Sequence, residues 1–164
     1  MAIQFFTTGG SIDKVYSTLV SQFVVGDPAV ESILKEANVT LDYSIEPLIR
    51  KDSLEITPSD RQVIVDAVRS CPQRQVIITH GTDTMVETAR ALLSIPGKVI
   101  VLTGAMQPAG FKITDAAFNL GSAVLAVQAL PEGVFIVFNG RIFDPVKTNK
   151  NVALDRYQEA SEAI

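Results

Sequence analysis

Four short segments concentrate the residue types that perform hydrolytic chemistry. They are Thr8-Gly9-Gly10-Ser11-Ile12-Asp13, Asp52-Ser53, Thr79-His80-Gly81-Thr82-Asp83 and Thr103-Gly104-Ala105-Met106-Gln107. Hydroxyls can act as nucleophiles, carboxylates hold ammonium groups, and glycines let a backbone approach a ligand closely. In Thr8-Gly9-Gly10-Ser11 the paired glycines permit a sharp turn whose N–H groups can bind an oxyanion, with a hydroxyl next in line. The same string also reads as a tight turn with Ser11 capping a helix. Its spacing is neither Gly-x-x-x-x-Gly-Lys-Ser/Thr nor Gly-x-Gly-x-x-Gly, so it is neither a phosphate loop nor a dinucleotide fingerprint.

Thr82 and Asp83 also admit two readings. Either could cap the helix that starts near Thr84, or the pair could place a hydroxyl and a carboxylate where they hold an ammonium group or a lysine. Lys147 stands in Asp144-Pro145-Val146-Lys147-Thr148-Asn149. It is either a solvated loop lysine or, buried beside Thr82 and Asp83, a base for a hydroxyl. Tyr16, five positions after Ser11, is either an exposed tyrosine or part of a lid in a mobile stretch over residues 13–22. His80 directly precedes Gly81 at a strand's last position and reads as a hydrogen-bonded supporting residue rather than a triad member.

These segments need strand ends to carry them. The runs Ile3–Phe6, Val76–Ile78, Val99–Leu102 and Val134–Phe138 are continuously apolar, as strands buried on both faces of a parallel sheet must be. Each ends in a Gly- or Asn-bearing turn. A further strand is expected over Val39–Ile45. Helices are expected from Pro28 to Ala37, from Pro58 to about Arg69 with Val63, Ile64, Ala67 and Val68 on one side, over Thr84–Ser94, over Thr114–Leu130, and in the tail from Leu154. Alternating strands and helices give one α/β domain over residues 1–164. It is doubly wound, with a mostly parallel sheet and helices on both faces in the three-layer Rossmann or flavodoxin-like manner. Ligands bind such sheets beyond the strands' carboxyl ends, where all four segments lie.

Composition narrows the function classes. The chain has 164 residues, a formal net charge of -4, one cysteine and one histidine. A single Cys71 and a single His80 exclude an internal disulfide and a multi-histidine or multi-cysteine metal site. The acidic balance argues against a nucleic-acid or anionic-membrane surface. No apolar run approaches the ~18 residues of a membrane span, and the start lacks a signal peptide's basic flank, so a cytoplasmic address is expected.

Taken together, Thr8-Gly9-Gly10-Ser11-Ile12, Ile78-Thr79-His80-Gly81-Thr82-Asp83-Thr84-Met85, Thr103-Gly104-Ala105-Met106, Phe118-Asn119-Leu120 and Val146-Lys147-Thr148-Asn149 resemble the bacterial-type L-asparaginase family. Their order matches its N-terminal domain from Ile3 to Asn149. The resemblance implies hydrolysis of the asparagine side-chain amide, with some activity on glutamine, and no metal or organic cofactor. It implies Ser11 as nucleophile in place of the family's threonine, with Thr82 and Lys147 as second hydroxyl and lysine. Asp83 would hold the substrate amine, Ser53 the α-carboxylate, and Tyr16 would be the lid tyrosine. Gly10 and Ala105 would line the substrate pocket. Leu54 and Gln107 depart from the family's usual residues, and its C-terminal domain is expected to be missing.

A mean hydropathy of +0.27 then suggests an apolar surface that supports self-association into a homo-oligomer. Two other functions compete with the amidohydrolase. One is a non-catalytic amino-acid-binding or regulatory module with the same pocket. The other is a tRNA-dependent amidotransferase, against which the absence of a basic tract counts.

Overall fold

The computed structural model describes residues 2–162. The chain begins with β1 (Ile3–Gly9), a hairpin of β2 (Lys14–Ser17) and β3 (Gln22–Val25), α1 (Val30–Glu36) and β4 (Tyr43–Lys51). It continues through α2 (Pro58–Ser70), β5 (Gln75–Thr79), α3 (Met85–Ala91), β6 (Val99–Thr103), α4 (Ala116–Ala129) and β7 (Gly133–Phe138). β8 (Arg141–Phe143) follows, then a second hairpin of β9 (Thr148–Asn151) and β10 (Arg156–Glu159). Turns of 3-10 helix cover Ser11–Asp13, Ser53–Glu55 and Ala160–Glu162.

The main sheet has the order β4-β1-β5-β6-β7-β8. All its pairs are parallel except β7 with β8. That last pair turns back through Asn139 and Gly140, whose φ values of 50° and 75° suit a tight hairpin. The parallel strands run spatially second, first, third, fourth, fifth, the flavodoxin-like order, and the winding reverses between β1 and β5. The doubly wound, mostly parallel architecture therefore stands.

Each parallel strand feeds two cores because successive side chains point to opposite faces. Phe6, Val76, Ile78, Ile100 and Leu102 pack beneath α2 and α3. Phe5, Ile77, Val99 and Val101 pack beneath α1 and α4. α2 starts at a capping box in which Thr57 and Asp60 bond each other's backbone N–H, with Pro58 at the first helical position. It buries Ile64, Val65 and Val68, whereas Val63 is half exposed, so the expected apolar stripe is displaced by part of a turn.

Three sequence expectations are corrected. The strand expected over Val39–Ile45 lies instead at Tyr43–Lys51, because Asn38 ends α1 in the left-handed region at φ 51° and residues 39–42 are spent on the return. Pro47 fits this strand because β4 is an edge and pairs only with β1. Residues 14–25 are an ordered hairpin, with Tyr16 opposite Phe23 across the pair. The tail from Leu154 is not helical: Asp155 at φ 47° turns the chain into β10. Among the described residues, no helix is long and apolar enough to cross a membrane.

Candidate active site

Three strand-end loops meet beside the point where the winding reverses, and glycines make the approach possible. Gly9 and Gly10 follow β1 with φ of 92° and 85°, conformations that a side chain strains. A Cβ on Gly10 would stand 2.4 Å from the Gly81 Cα, and a Cβ on Gly81 would stand 2.5 Å from the Ser53 Cβ. The backbones after β1, β5 and β4 are thus in direct contact. Gly10 N–H also donates to Lys51 O at 2.9 Å, where β4 bulges relative to β1.

Ser11 follows this contact at the start of a 3-10 turn and is half buried. Its hydroxyl makes no hydrogen bond among the described residues, so it caps nothing and is free to meet a ligand. Thr82 follows Gly81 on the neighbouring loop and is buried. Neither Thr82 nor Asp83 caps α3, whose N-cap position is Thr84 with no side-chain bond of its own. The capping reading of both segments is therefore set aside.

The lysine on Thr82 and Asp83 is Lys150, not Lys147. Lys150 Nζ donates to Thr82 Oγ1 at 2.9 Å and to Asp83 Oδ1 at 2.7 Å, with 11% of its side chain exposed. Lys147 is 69% exposed, and its nearest carboxylate is Asp144 at 4.0 Å. Strand alternation is the reason. Thr148 begins β9 fully buried, so Lys150, two residues on, faces the same way, while Asn149 is exposed. Lys147 has the outward parity. The alternating pattern Thr148-Asn149-Lys150-Asn151 is the signal that could have identified Lys150, but four polar residues do not announce a strand.

Ser53 is buried, and its hydroxyl accepts Asp83 N–H at 3.2 Å. Its carbonyl accepts the Thr84 hydroxyl at 2.7 Å, which ties the β4 loop to the start of α3. Ala105 is buried in the loop after β6. Two residues fasten that loop. Asp115 accepts the Met106 and Gln107 N–H groups at 2.9 and 3.0 Å, and Asn119 donates to Gly104 O at 3.0 Å. Ala109 N–H donates to Ile12 O at 3.1 Å and links this loop to the Ser11 turn.

Tyr16 is more than half exposed and packs edge-on against Phe23, which in turn meets Phe111. Its hydroxyl makes no hydrogen bond to Ser11, and the ring is a surface aromatic of the hairpin. His80 is fully buried, with Nδ1 2.8 Å from Gly81 O and Nε2 2.8 Å from Thr88 Oγ1. A carbonyl only accepts, so Nδ1 carries the proton and Nε2 accepts from Thr88. Burial, aided by the nearby Arg61 charge, lowers its pKa to about 4, which keeps the ring neutral in the supporting role the sequence suggests. Among the described residues, no group of three or more His, Cys, Asp or Glu side chains could hold a metal ion.

This arrangement offers an unbonded hydroxyl on Ser11 and a hydroxyl–lysine–carboxylate chain through Thr82, Lys150 and Asp83. Residues 2–158 match the family model described as Asparaginase, N-terminal. L-asparaginase 2-3 of Saccharomyces cerevisiae is 34% identical over 175 aligned positions, covering 96% of this chain and 48% of the yeast protein. The thermostable L-asparaginase from Thermococcus kodakarensis superposes with a TM-score of 0.84 at 25% identity, over 97% of this chain and 51% of that one. A Campylobacter jejuni structure described as a probable cytoplasmic L-asparaginase gives a TM-score of 0.82 at 26% identity, over 98% and 53% of the two chains. The chain spans about half the length of the curated relatives it matches.

Proposed function

The chain belongs to the asparaginase family, and on that premise we propose that it hydrolyses the side-chain amide of L-asparagine to L-aspartate and ammonia. The observation that carries this reading is the clasp of Lys150 between Thr82 Oγ1 and Asp83 Oδ1. Because Lys150 donates to the Thr82 oxygen, the Thr82 hydroxyl keeps its own proton to donate or pass on.

Ser11 Oγ attacks the amide carbon, and its proton leaves through the Thr82–Lys150 pair. Backbone N–H groups of the strand-end loops take the developing oxyanion. The C–N bond breaks, ammonia departs with the transferred proton, and a β-aspartyl ester remains on Ser11. Water then cleaves the ester, and Ser11 regains its proton. Asp83, with one oxygen committed to Lys150, offers the other to the substrate ammonium. Ser53 serves the α-carboxylate end, Gly10 and Ala105 line the pocket, and Tyr16 closes over it on the hairpin. The reaction as written uses no cofactor. Residues 1–164 act as one domain in this proposal. Self-association supplies cover for exposed apolar residues such as Leu125 and Phe118, and a cytoplasmic location follows the Campylobacter jejuni likeness.

The test is ammonia release from asparagine, glutamine and small amides by the purified chain, with Ser11→Ala as control. Ammonia from asparagine that is lost in Ser11→Ala supports the proposal. Binding of aspartate without ammonia release would replace it with the non-catalytic binding module.

A further inference from the structure

A buried aromatic cluster beneath the site contains one hydroxyl that the apolar packing does not require. Tyr157 in β10 is 2% exposed and stands edge-on to Phe138 at 5.1 Å and tilted against Phe143 at 6.0 Å. Phenylalanine would fill that volume equally well. A buried hydroxyl costs desolvation unless it is bonded, so the partner it finds is what it contributes. That partner is the Thr82 carbonyl, which accepts the Tyr157 hydroxyl at 2.6 Å. Burial pushes the phenol's pKa upward, so it remains a donor at any working pH.

The same residue lies directly across the hairpin from the lysine. Tyr157 and Lys150 are register partners of β10 and β9, and directly opposed residues share a face. Tyr157 therefore holds the Thr82 main chain with its hydroxyl while its strand partner delivers the ammonium to the Thr82 side chain. The two ends of the 2.9 Å contact between Lys150 and Thr82 are referenced to one rigid aromatic side chain.

We infer that Tyr157 is a positioning residue that sets the geometry of the Thr82–Lys150 pair through its bond to the Thr82 carbonyl. Its effect on turnover rests on the amidohydrolase reading above; its effect on Lys150 does not. Without the hydroxyl, a buried carbonyl is left unpaired and the loop carrying Thr82 shifts to find a donor.

The experiment compares Tyr157→Phe with Phe143→Leu, which loosens the same cluster without removing a hydrogen bond. Two quantities are read: kcat and KM for asparagine, and the rate of Lys150 acylation by acetic anhydride relative to Lys147, by peptide mapping. Tyr157→Phe is expected to lower kcat about tenfold with KM within about twofold, and to raise Lys150 labelling about threefold or more. Phe143→Leu is expected to lower the thermal midpoint while leaving both readouts near wild type. Equal behaviour of the two variants, or unchanged Lys150 labelling in Tyr157→Phe, overturns the inference. If the wild type releases no ammonia, the amidohydrolase reading falls, and the labelling ratio alone decides the role of Tyr157. If Tyr157→Phe does not fold, the native protein with ring-labelled tyrosine decides. A slowly exchanging Tyr157 hydroxyl proton in its NMR spectrum supports the bond, and a rapidly exchanging one overturns the inference.

Discussion

Gly81 lies so close to Ser53 that a Cβ built on the glycine would come within 2.5 Å of the serine Cβ and 2.7 Å of its Oγ. Ser53 is held in turn by Asp83 N–H and by the Thr84 hydroxyl, so it has nowhere to retreat. Gly81→Ala should therefore destabilise the fold by about 2 kcal/mol or more, read from urea unfolding, and displace the Ser53 loop. Gly121 is the contrast. It sits within α4 with nothing within 4 Å of a built Cβ. Gly121→Ala should stabilise by ~0.5–1 kcal/mol.

Lys147 and Lys150 differ by three positions and by everything in their surroundings. Lys150→Met should abolish ammonia release, since it strips Thr82 of its charged donor and leaves Asp83 without its partner. Lys147→Met should leave turnover within about twofold, because an exposed pair at 4.0 Å contributes little. Parallel assays of the two variants check both statements, and the reverse pattern would return the role to Lys147.

Two buried titratable groups oppose each other in pH. Asp13 lies 3% exposed at the wall of a cavity of about 170 Å³ behind the Ser11 turn, and burial raises its pKa to about 7 against the Ala29 N–H bond and the Arg50 charge. The fold thus binds more protons there than the unfolded chain, so this contribution falls as pH rises from about 4 to about 7. His80 runs the other way. With its pKa lowered from 6.5 to about 4, its contribution is full above 6.5 and is lost as pH falls toward 4. Asp13→Asn keeps the acceptor for Ala29 and removes the first slope. Its gain over wild type should grow to the order of 4 kcal/mol by pH 8. Urea midpoints across pH 4–8 check this; a pH-independent difference would refute it.

Asn119 is fully buried and serves three partners. It donates to Gly104 O and to Asp115 Oδ2 and accepts Asn139 N–H, each at 3.0 Å. Asn119→Ala should cost about 2 kcal/mol in urea unfolding, because it orphans the buried Gly104 carbonyl and unties the turn at Asn139. If Ala105 lines the pocket, KM for asparagine should rise as well, since the loop loses its tie to α4.

The amino-acid sequence alone determined the layered α/β architecture and the strand ends that carry the site. Continuous apolar runs are what strands buried on both faces require, and helix starts such as Thr57-Pro58-Ser59-Asp60 are written in local bonds. The positions of Ser11, Thr82 and Ala105 just beyond strand ends were legible in the sequence, because a continuously apolar run followed by a glycine turn marks where a strand stops. The tertiary structure decided what depends on distant partners. Whether residues 14–25 form an ordered hairpin, where β4 begins and how the tail folds are set by packing rather than by local pattern. The choice of Lys150 over Lys147 is the clearest case. It follows from which side of a short polar strand turns inward, and contacts to Thr82 across 68 and 75 residues of chain fix that side. A period of two residues makes such a strand all-or-none, so one inward Thr148 and one buried Tyr157 select the lysine.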